Sequence, residues 1–261
     1  MPFIFSTQVI FSVFVFIFGL IIGSFLNCLI WRLYKNETLG GRSYCPKCRQ
    51  TIAWYDNIPL LSFCLLGGRC RHCQALISWQ YPLVELATAV LFLLTFWADA
   101  ASGQFSLLLL RDWLLIITFV IIFVYDFRWQ LVPMAAVWPL GAAICGANLL
   151  LRLSWKALLF FAIIGAVFFL IQYLLTRKKG IGEGDIWLGA LLGLSFPSAA
   201  EMLLILVLSY SFGAFIGLIL LSLQKKGWKS QIAFGPFLAL GAVITLIWGN
   251  RILAWYLQFC C

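Results

Sequence analysis

The sequence predicts an all-α polytopic membrane protein of about eight transmembrane helices, one of them short, with a small cytoplasmic zinc-binding loop module. Of its 261 residues, 64% are hydrophobic and only 10% are charged, and a water-soluble domain with so little polar surface would not stay dissolved. Apolar residues gather in runs close to the roughly 20 residues that a spanning helix needs. The lipid bilayer is therefore an expected partner.

Eight apolar stretches follow one another along the chain. The sixth holds only about a dozen residues before Pro197, which favours a short, tilted or re-entrant helix. The first has no basic residue before it and no small-residue cleavage pattern after it, so we expect it to be retained as a span. The stretches are 9–30, 82–98, 107–125, 134–151, 157–175, 186–197, 201–223 and 233–249.

The one shift in composition defines the domain organisation. Residues 33–81 are polar and rich in turn formers, without a long apolar run or a helical period. We therefore predict a first membrane span at 1–32, a cytoplasmic four-cysteine zinc module at 33–81 and a membrane-embedded core at 82–261. No internal repeat is evident in the sequence.

The net charge of +9 predicts orientation and does not indicate a nucleic-acid partner. Nucleic-acid binding would need the basic residues on one soluble face, whereas here they lie in short loops between apolar runs. Because each apolar stretch carries the chain across the membrane, segments 31–81, 126–133, 176–185 and 224–232 fall on the same side. They contain 14 of the 18 Lys and Arg. Because Lys and Arg accumulate in cytoplasmic loops, this side is expected to be cytoplasmic, with both termini outside.

Two C-x-x-C pairs in the polar segment predict a metal site. Cys45 and Cys48 are separated by 21 residues from Cys70 and Cys73, a spacing close to that of zinc knuckle pairs. Four thiolates complete a tetrahedral shell and leave no open coordination position, so the zinc would be structural. The alternatives are two disulfides, which need an oxidising compartment, free thiols, or His72 in place of one thiolate.

Among the nine acidic residues, Asp126 and Asp185 stand out because both lie at the predicted cytoplasmic edge of the membrane. Asp126 closes the third apolar stretch, and Asp185 opens the sixth after a segment with glycines at 180, 182 and 184. An ionisable group at that depth is costly and is a functional candidate by default. The alternative is that both aspartates only cap helix ends. Asp112 stands beside Arg111 and is expected to pair with it locally.

A pair of neighbouring carboxyl groups can hydrolyse a peptide bond. In a low-dielectric site both do not ionise comfortably, so one keeps a proton while the other acts as a base toward water. The protonated member hydrogen-bonds the carbonyl oxygen where negative charge develops. Gly182 and Gly184 lack a Cβ, which lets backbone and substrate approach closely and permits conformations closed to other residues. Whether Asp126 and Asp185 meet is a prediction about tertiary packing.

Five separate stretches, taken in order, resemble the type IV prepilin peptidase family, also called prepilin leader peptidase/N-methyltransferase. A lone Gly-x-Gly-Asp would be a weak match, but five matches in order are strong, and the resemblance covers nearly the whole chain. They are GSFLNCLIWR at 23–32, WYDNIPL at 54–60 between the cysteine pairs, ISWQYPLVE at 77–85, GEGD at 182–185 and FGPFLALG at 234–241.

The resemblance implies a Gly-x-Gly-Asp intramembrane aspartic protease with Asp126 and Asp185 as its catalytic dyad. Its substrate would be a prepilin or pseudopilin of type IV pili or type II secretion, cut at the cytoplasmic face of the bacterial inner membrane. Full-length members then methylate the new N-terminal amine with S-adenosylmethionine. Residues 82–261 would be the peptidase core, and the cysteine module matches members with both activities.

Two positions depart from the family pattern, and two other functions compete with it. Trp187 stands where the family commonly has Lys, and Met134 where it commonly has an acidic residue. One competing function is a non-enzymatic membrane scaffold or transporter with a zinc-stabilised docking loop, but its expected marker, ionisable residues near the membrane midplane, is missing from the sequence. The other is a methyltransferase without proteolysis.

Overall fold

The computed structural model of the protein describes residues 2–99, 106–177, 181–223 and 233–260, with side chains described from residue 8 to residue 258 within those ranges. The basic residues expected at 178, 179, 225, 226 and 229, and the glycine at 180, lie outside the described residues. Over the described ranges the structure is helical, with two isolated β-bridges and no strand. The chain divides into two compact units, Met1–Gln104 and Phe105–Cys261.

The first unit is a helical hairpin with a long loop. Helix α1 runs over Pro2–Lys35 and α3 over Gln80–Asp99, with a 3₁₀ turn at Trp54–Asn57 and the short helix α2 at Leu61–Leu65 between them. Two glycines of α1 allow the antiparallel pair to touch: a Cβ added at Gly19 would lie 2.6 Å from the Cα of Ala89. Close backbone approach through small residues is a common mode of helix association in membranes.

The second unit contains the remaining six helices. They are α4 at Leu107–Trp129, α5 at Met134–Leu150, α6 at Trp155–Leu175, α7 at Glu183–Ser195, α8 at Ala199–Ser222 and α9 at Gly235–Cys260. All eight predicted apolar stretches therefore coincide with a helix. Among the described residues six helices are long and apolar enough to cross a membrane, namely α1, α3, α4, α6, α8 and α9. Helices α5 and α7 are shorter.

Helix α7, the short sixth stretch, lies inside the second unit. Its glycines make this possible, since a Cβ added at Gly189 would lie 2.4 Å from the carbonyl oxygen of Gly165 on α6. Its leucines belong to the buried core of the unit together with residues of α4, α5, α8 and α9. At the carboxyl end of α7, the side-chain amide of Asn148 on α5 donates a hydrogen bond of 2.7 Å to the carbonyl of Leu194. This packing holds the start of α7 in place.

The loop of the first unit contains an internal repeat that is not evident in the sequence. Segments 43–52 and 68–77 share one hydrogen-bond pattern at a constant offset of 25 residues: the amides of Cys45 and Cys70 bond to the carbonyls of Gln50 and Ala75, at 2.9 Å in both cases. The repeat escapes notice in the sequence because only the cysteines and the final isoleucine are shared. Its two copies are the two knuckles of the module.

Candidate active site and metal centre

Asp126 lies in the last turn of α4 and is buried, with 6% of its surface exposed. The helix ends three residues later, where Gln130 adopts a left-handed conformation (φ 54°) and its N–H donates to the Asp126 carbonyl over 2.9 Å. Because Asp126 is at the carboxyl end of its helix, its side chain does not cap a helix N-terminus, the end at which Asp is favoured.

Asp185 lies in the first turn of α7 and is also buried, at 7% exposure. The N–H of Gly182, the residue before the helix, donates to Asp185 Oδ2 over 3.1 Å. Asp185 thus does satisfy one of the free amides at the start of its helix. This hydrogen bond engages one carboxylate oxygen and fixes the side chain, so capping and a chemical role are compatible here.

The structure brings these two aspartates, 59 residues apart in sequence, to the same place. A Cβ added at Gly184 would lie 2.4 Å from Cγ2 of Val132, so the residue before Asp185 is pressed against the loop that follows Asp126. The Asp126 and Asp185 carboxyl groups interact electrostatically. Two buried carboxyl groups that interact in this way can divide the activation of water between an ionised and a protonated member.

Gly182 and Gly184 differ in what they contribute. Gly184 is required for the close contact with Val132 described above. Gly182 has φ −78°, an angle open to every residue, and a Cβ added there would meet only Asp185 Oδ2 and the Gly184 nitrogen, at 3.8 and 3.9 Å. Close approach therefore requires a glycine at position 184, as the sequence predicted, but not at position 182. Gly182 contributes its N–H instead.

Gly235, the first residue of α9, is a site residue that sequence reasoning did not identify. Its N–H donates to the Asp126 carboxyl group, and a Cβ added there would lie 2.5 Å from Asp126 Oδ2 and 3.1 Å from Cγ. The positive end of the α9 dipole therefore faces this carboxyl group. The only available signal was the Phe-Gly-Pro at 234–236, since proline is favoured in the first turn of a helix.

Two tyrosines contact residues that lie next to Gly235 or close to Asp185 in sequence. Tyr210 of α8 packs its ring 4.9 Å from that of Phe234 and donates its hydroxyl to Gln172 Oε1 over 2.6 Å. Tyr173 of α6 donates to Glu183 Oε1 over 2.6 Å, which ties the glycine segment to α6. Neither tyrosine was singled out from the sequence.

The two departures from the family pattern have defined surroundings. Trp187 packs edge-on against Trp138 of α5, with ring centroids 4.6 Å apart, and is two residues beyond Asp185. An angle of about 200° separates positions i and i+2 on a helix, so Trp187 lies on the face of α7 opposite Asp185. Met134 packs against the hydrophobic core. Both are therefore packing residues.

The four predicted metal ligands converge on one point. The sulfurs of Cys45, Cys48, Cys70 and Cys73 all lie within 4.8 Å of one another, and the Cys45 and Cys73 sulfurs are 3.8 Å apart. A tetrahedral zinc with Zn–S bonds of about 2.3 Å requires S–S edges of about 3.8 Å, whereas a disulfide requires about 2.05 Å. The cluster therefore has the donor set and spacing of a four-thiolate metal site, and His72 is not part of it.

The knuckle backbones prepare the thiols for metal binding. The amides of Cys73 and His72 point at the Cys70 sulfur and lower the pKa of that thiol to about 7. At Cys48 the Gln50 amide lowers the pKa, but desolvation and hydrogen bonds with the other three cysteines outweigh it and raise the pKa to about 11. Because only thiolates bind zinc, the lowered pKa of Cys70 favours metal binding at that thiol.

A buried acid anchors the loop of the first unit to α3. Glu85 is 7% exposed and accepts the Leu60 N–H over 2.9 Å as well as a hydrogen bond from Ser24. Leu60 has φ 59° and ψ −49°, and the Leu61 N–H bonds to the Pro59 carbonyl over 2.6 Å, which defines a rare and strained γ-turn. Sequence reasoning had placed Glu85 only within a matching stretch, without a role.

Comparison with known proteins gives matches over both units. A family model for the bacterial peptidase A24 N-terminal domain matches residues 17–98, and one for the type IV leader peptidase family matches residues 113–223. The chain is similar to curated proteins named prepilin leader peptidase/N-methyltransferase. It is 36% identical to that of Pseudomonas aeruginosa, over 92% of this chain and 91% of the relative.

Two further relatives with the same printed name agree. Identity is 34% with the protein of Stutzerimonas stutzeri, over 98% of this chain and 97% of the relative. Identity is 37% with the protein of Aeromonas hydrophila, over 93% of this chain and 92% of the relative. No solved structure matches the chain.

Proposed function

The chain belongs to the type IV leader peptidase family, and on that premise we propose that it cleaves the leader of type IV prepilins or type II secretion pseudopilins and methylates the new N-terminal residue. It is a multi-pass protein of the bacterial inner membrane. The observation that carries the peptidase proposal is the meeting of two buried carboxyl groups, Asp126 and Asp185, at helix ends remote in sequence.

The dyad performs the hydrolysis with one proton shared between two carboxyl groups. The ionised member takes a proton from a water molecule, which attacks the scissile carbonyl carbon. The protonated member donates a hydrogen bond to the carbonyl oxygen as negative charge develops there, and a proton then passes to the leaving amine. The Gly182 and Gly235 amides hold the two carboxyl groups in place, which supplies the fixed geometry that such catalysis needs.

The orientation of the site follows from the distribution of charge. Both aspartates belong to segments that alternation places on the basic, cytoplasmic side with the cysteine module, where 14 of the 18 Lys and Arg lie. Cleavage at this face leaves the apolar helix of the substrate in the bilayer. In this proposal residues 1–32 form the first span, 33–81 the zinc module and 82–261 the peptidase core.

The metal of the module is proposed to be zinc in a structural role, held by Cys45, Cys48, Cys70 and Cys73. The sulfur spacing fits a tetrahedral thiolate shell, and zinc prefers that shell. A bidentate ion pair between Arg71 and Asp56, with N–O distances of 2.6 and 2.8 Å, ties the second knuckle to the 3₁₀ turn. Since the loop buries little apolar surface, metal binding would supply much of its folding free energy.

S-adenosylmethionine is the proposed donor in the second reaction, in which it would supply an electrophilic methyl group to the amine released by cleavage. The described residues include a charged, polar cavity in the first unit that could hold such a molecule.

Substitution of each aspartate tests the proposed function. With purified protein and a synthetic prepilin peptide, we expect Asp126→Asn and Asp185→Asn each to abolish leader cleavage, because neither variant retains a carboxyl pair. Asp112→Asn is the matched control, since Asp112 pairs with its neighbour Arg111 over 2.5 Å, as expected from the sequence, and should cleave normally. Near-normal processing by either dyad variant would refute the assignment.

The methylation assay on a pre-cleaved peptide separates the two activities. If the dyad variants still methylate that peptide, the aspartates serve proteolysis alone. Loss of both activities with intact folding and zinc content would mean that the aspartates are also needed for methylation, and their assignment to proteolysis alone would fail.

A further inference from the structure

A polar cavity lies at the end of α1, beside the first cysteine knuckle. Its volume is about 450 Å³, within the range of small-molecule sites. All of its lining belongs to the first unit: Arg32, Glu37, Thr38, Gly40, Arg42, Tyr44, Arg49 and Thr51. Most of these residues are charged or carry a hydroxyl group, which is unusual in a chain with only 10% charged residues. None of the four cysteine thiols lines the cavity.

A buried positive charge builds the wall of this cavity. Arg32 is only 5% exposed, and its guanidinium donates to the carbonyls of the five residues 38–42, for example to Gly40 over 2.7 Å and Gly41 over 3.0 Å. Carbonyl dipoles satisfy its donors but do not cancel its charge. Buried charges are ordinarily paired with an opposite charge, so the cavity beside Arg32 favours a ligand with an anionic group.

Two more guanidinium groups face the cavity without a carboxylate partner. Among the described residues, the side-chain ion pairs are Arg71–Asp56 and Arg111–Asp112, so neither Arg42 nor Arg49 is paired. Both are exposed. They are therefore free to form the bidentate contacts that guanidinium groups make with carboxylates.

One acidic side chain accompanies these three cations. Glu37 is half-buried, and its carboxylate accepts a hydrogen bond from the Tyr44 hydroxyl, which in turn accepts one from the Trp31 indole N–H over 3.4 Å. These hydrogen bonds hold the Glu37 carboxylate on the wall of the cavity. It is the one negatively charged side chain among lining residues whose other charges are positive. A ligand that is only anionic would be repelled by Glu37, whereas one with both a negative and a positive end would satisfy both.

We propose that this cavity is the S-adenosylmethionine site of the protein, with Arg42 and Arg49 binding the carboxylate of the methionine moiety and Glu37 facing its cationic groups. The proposal rests on the N-methylation half of the proposed function. S-adenosylmethionine carries one carboxylate and two cationic groups, the ammonium and the sulfonium, and the cavity presents charges of both signs. The aromatic ring of Tyr44 adds a flat surface to the lining.

Equilibrium binding of S-adenosylmethionine to the detergent-solubilised full chain tests the site without relying on activity. Charge-assisted hydrogen bonds are roughly twice as strong as neutral ones, so Glu37→Gln and Arg42→Gln should each weaken binding by about tenfold or more. Arg69→Gln is the matched control, because it removes an exposed basic residue of the same module that does not line the cavity. It should bind like the wild type. Zinc content and melting temperature verify folding of all three variants.

Several outcomes would overturn the assignment. If wild-type protein binds S-adenosylmethionine but Glu37→Gln and Arg42→Gln bind it equally well, the location is wrong while the proposed function stands. If the wild type cleaves leaders yet neither binds the donor nor methylates, the N-methylation half itself fails. If micelles containing phosphatidylglycerol displace the donor from wild type, and the two variants lose phosphatidylglycerol binding instead, the cavity is an acidic-lipid site.

Discussion

Addition of a single methyl group at Gly235 should disable the dyad without unfolding the protein. The new Cβ of Gly235→Ala would lie 2.5 Å from Asp126 Oδ2, where ordinary contact begins at 3.4 Å, so the carboxyl group must move by about 0.9 Å. A misplacement of about 1 Å can cost about 100-fold in rate. The obstructed atom is the end of a flexible side chain, which can turn aside without displacing the backbone. We therefore expect a leader-cleavage rate about 100-fold lower at a melting temperature near that of the wild type.

The assay is single-turnover cleavage of a prepilin peptide by purified protein, with Gly146→Ala as the control. Gly146 lies inside α5, and a Cβ added there would meet no atom within 4 Å. That variant should cleave at the wild-type rate. The reasoning is refuted if Gly235→Ala also cleaves at the wild-type rate, because α9 would then not press on Asp126 in the active protein.

Three other substitutions test the remaining contacts. Gly184→Ala should reduce the rate of leader cleavage at least tenfold, because its Cβ would lie 2.4 Å from Val132 Cγ2. Val132→Ala in the same chain should restore part of that rate, and no recovery in the double variant would argue against this contact. Cys70→Ser should lower bound zinc, measured by atomic absorption, below one equivalent, and an unchanged metal content would exclude the four-thiolate site. Glu85→Ala leaves the Leu60 amide without its acceptor and should destabilise the loop by about 1–3 kcal/mol, whereas Glu85→Gln keeps an acceptor. Limited proteolysis measures the protection of the loop, and equal protection in the two variants would show that Glu85 does not anchor it.

The hydropathy pattern predicted the position of every helix of the membrane part. It did not predict the length of each helix or how far each one is enclosed by the others. The helices match the eight stretches because about 20 apolar residues in lipid must satisfy their own backbone hydrogen bonds. Helix α1, however, continues to Lys35, five residues beyond its apolar run, since helix geometry does not stop where hydrophobicity does. The enclosure of α7 depends on Gly165 and Gly189, which meet across two helices, and such pairing leaves no periodic signal in a single sequence.

The site was likewise predicted in part. Asp126 and Asp185 could be singled out by their depth, and the four cysteines by their spacing. Gly235 could not, because its importance is the space denied to a Cβ by a side chain 109 positions away. Glu85 and Arg32 were hidden for a related reason: burial of a charge and the identity of its partners depend on packing.

By itself, the sequence determined the solvent of the protein, its helices, the sulfur ligand set and the two aspartates as candidates, because these follow from composition and from spacing within short segments. Only the tertiary structure decided that α4, α7 and α9 bring Asp126, Asp185 and Gly235 into one buried group. Contacts between helix ends are set by side-chain volume and close backbone approach across the unit, and no local pattern encodes them.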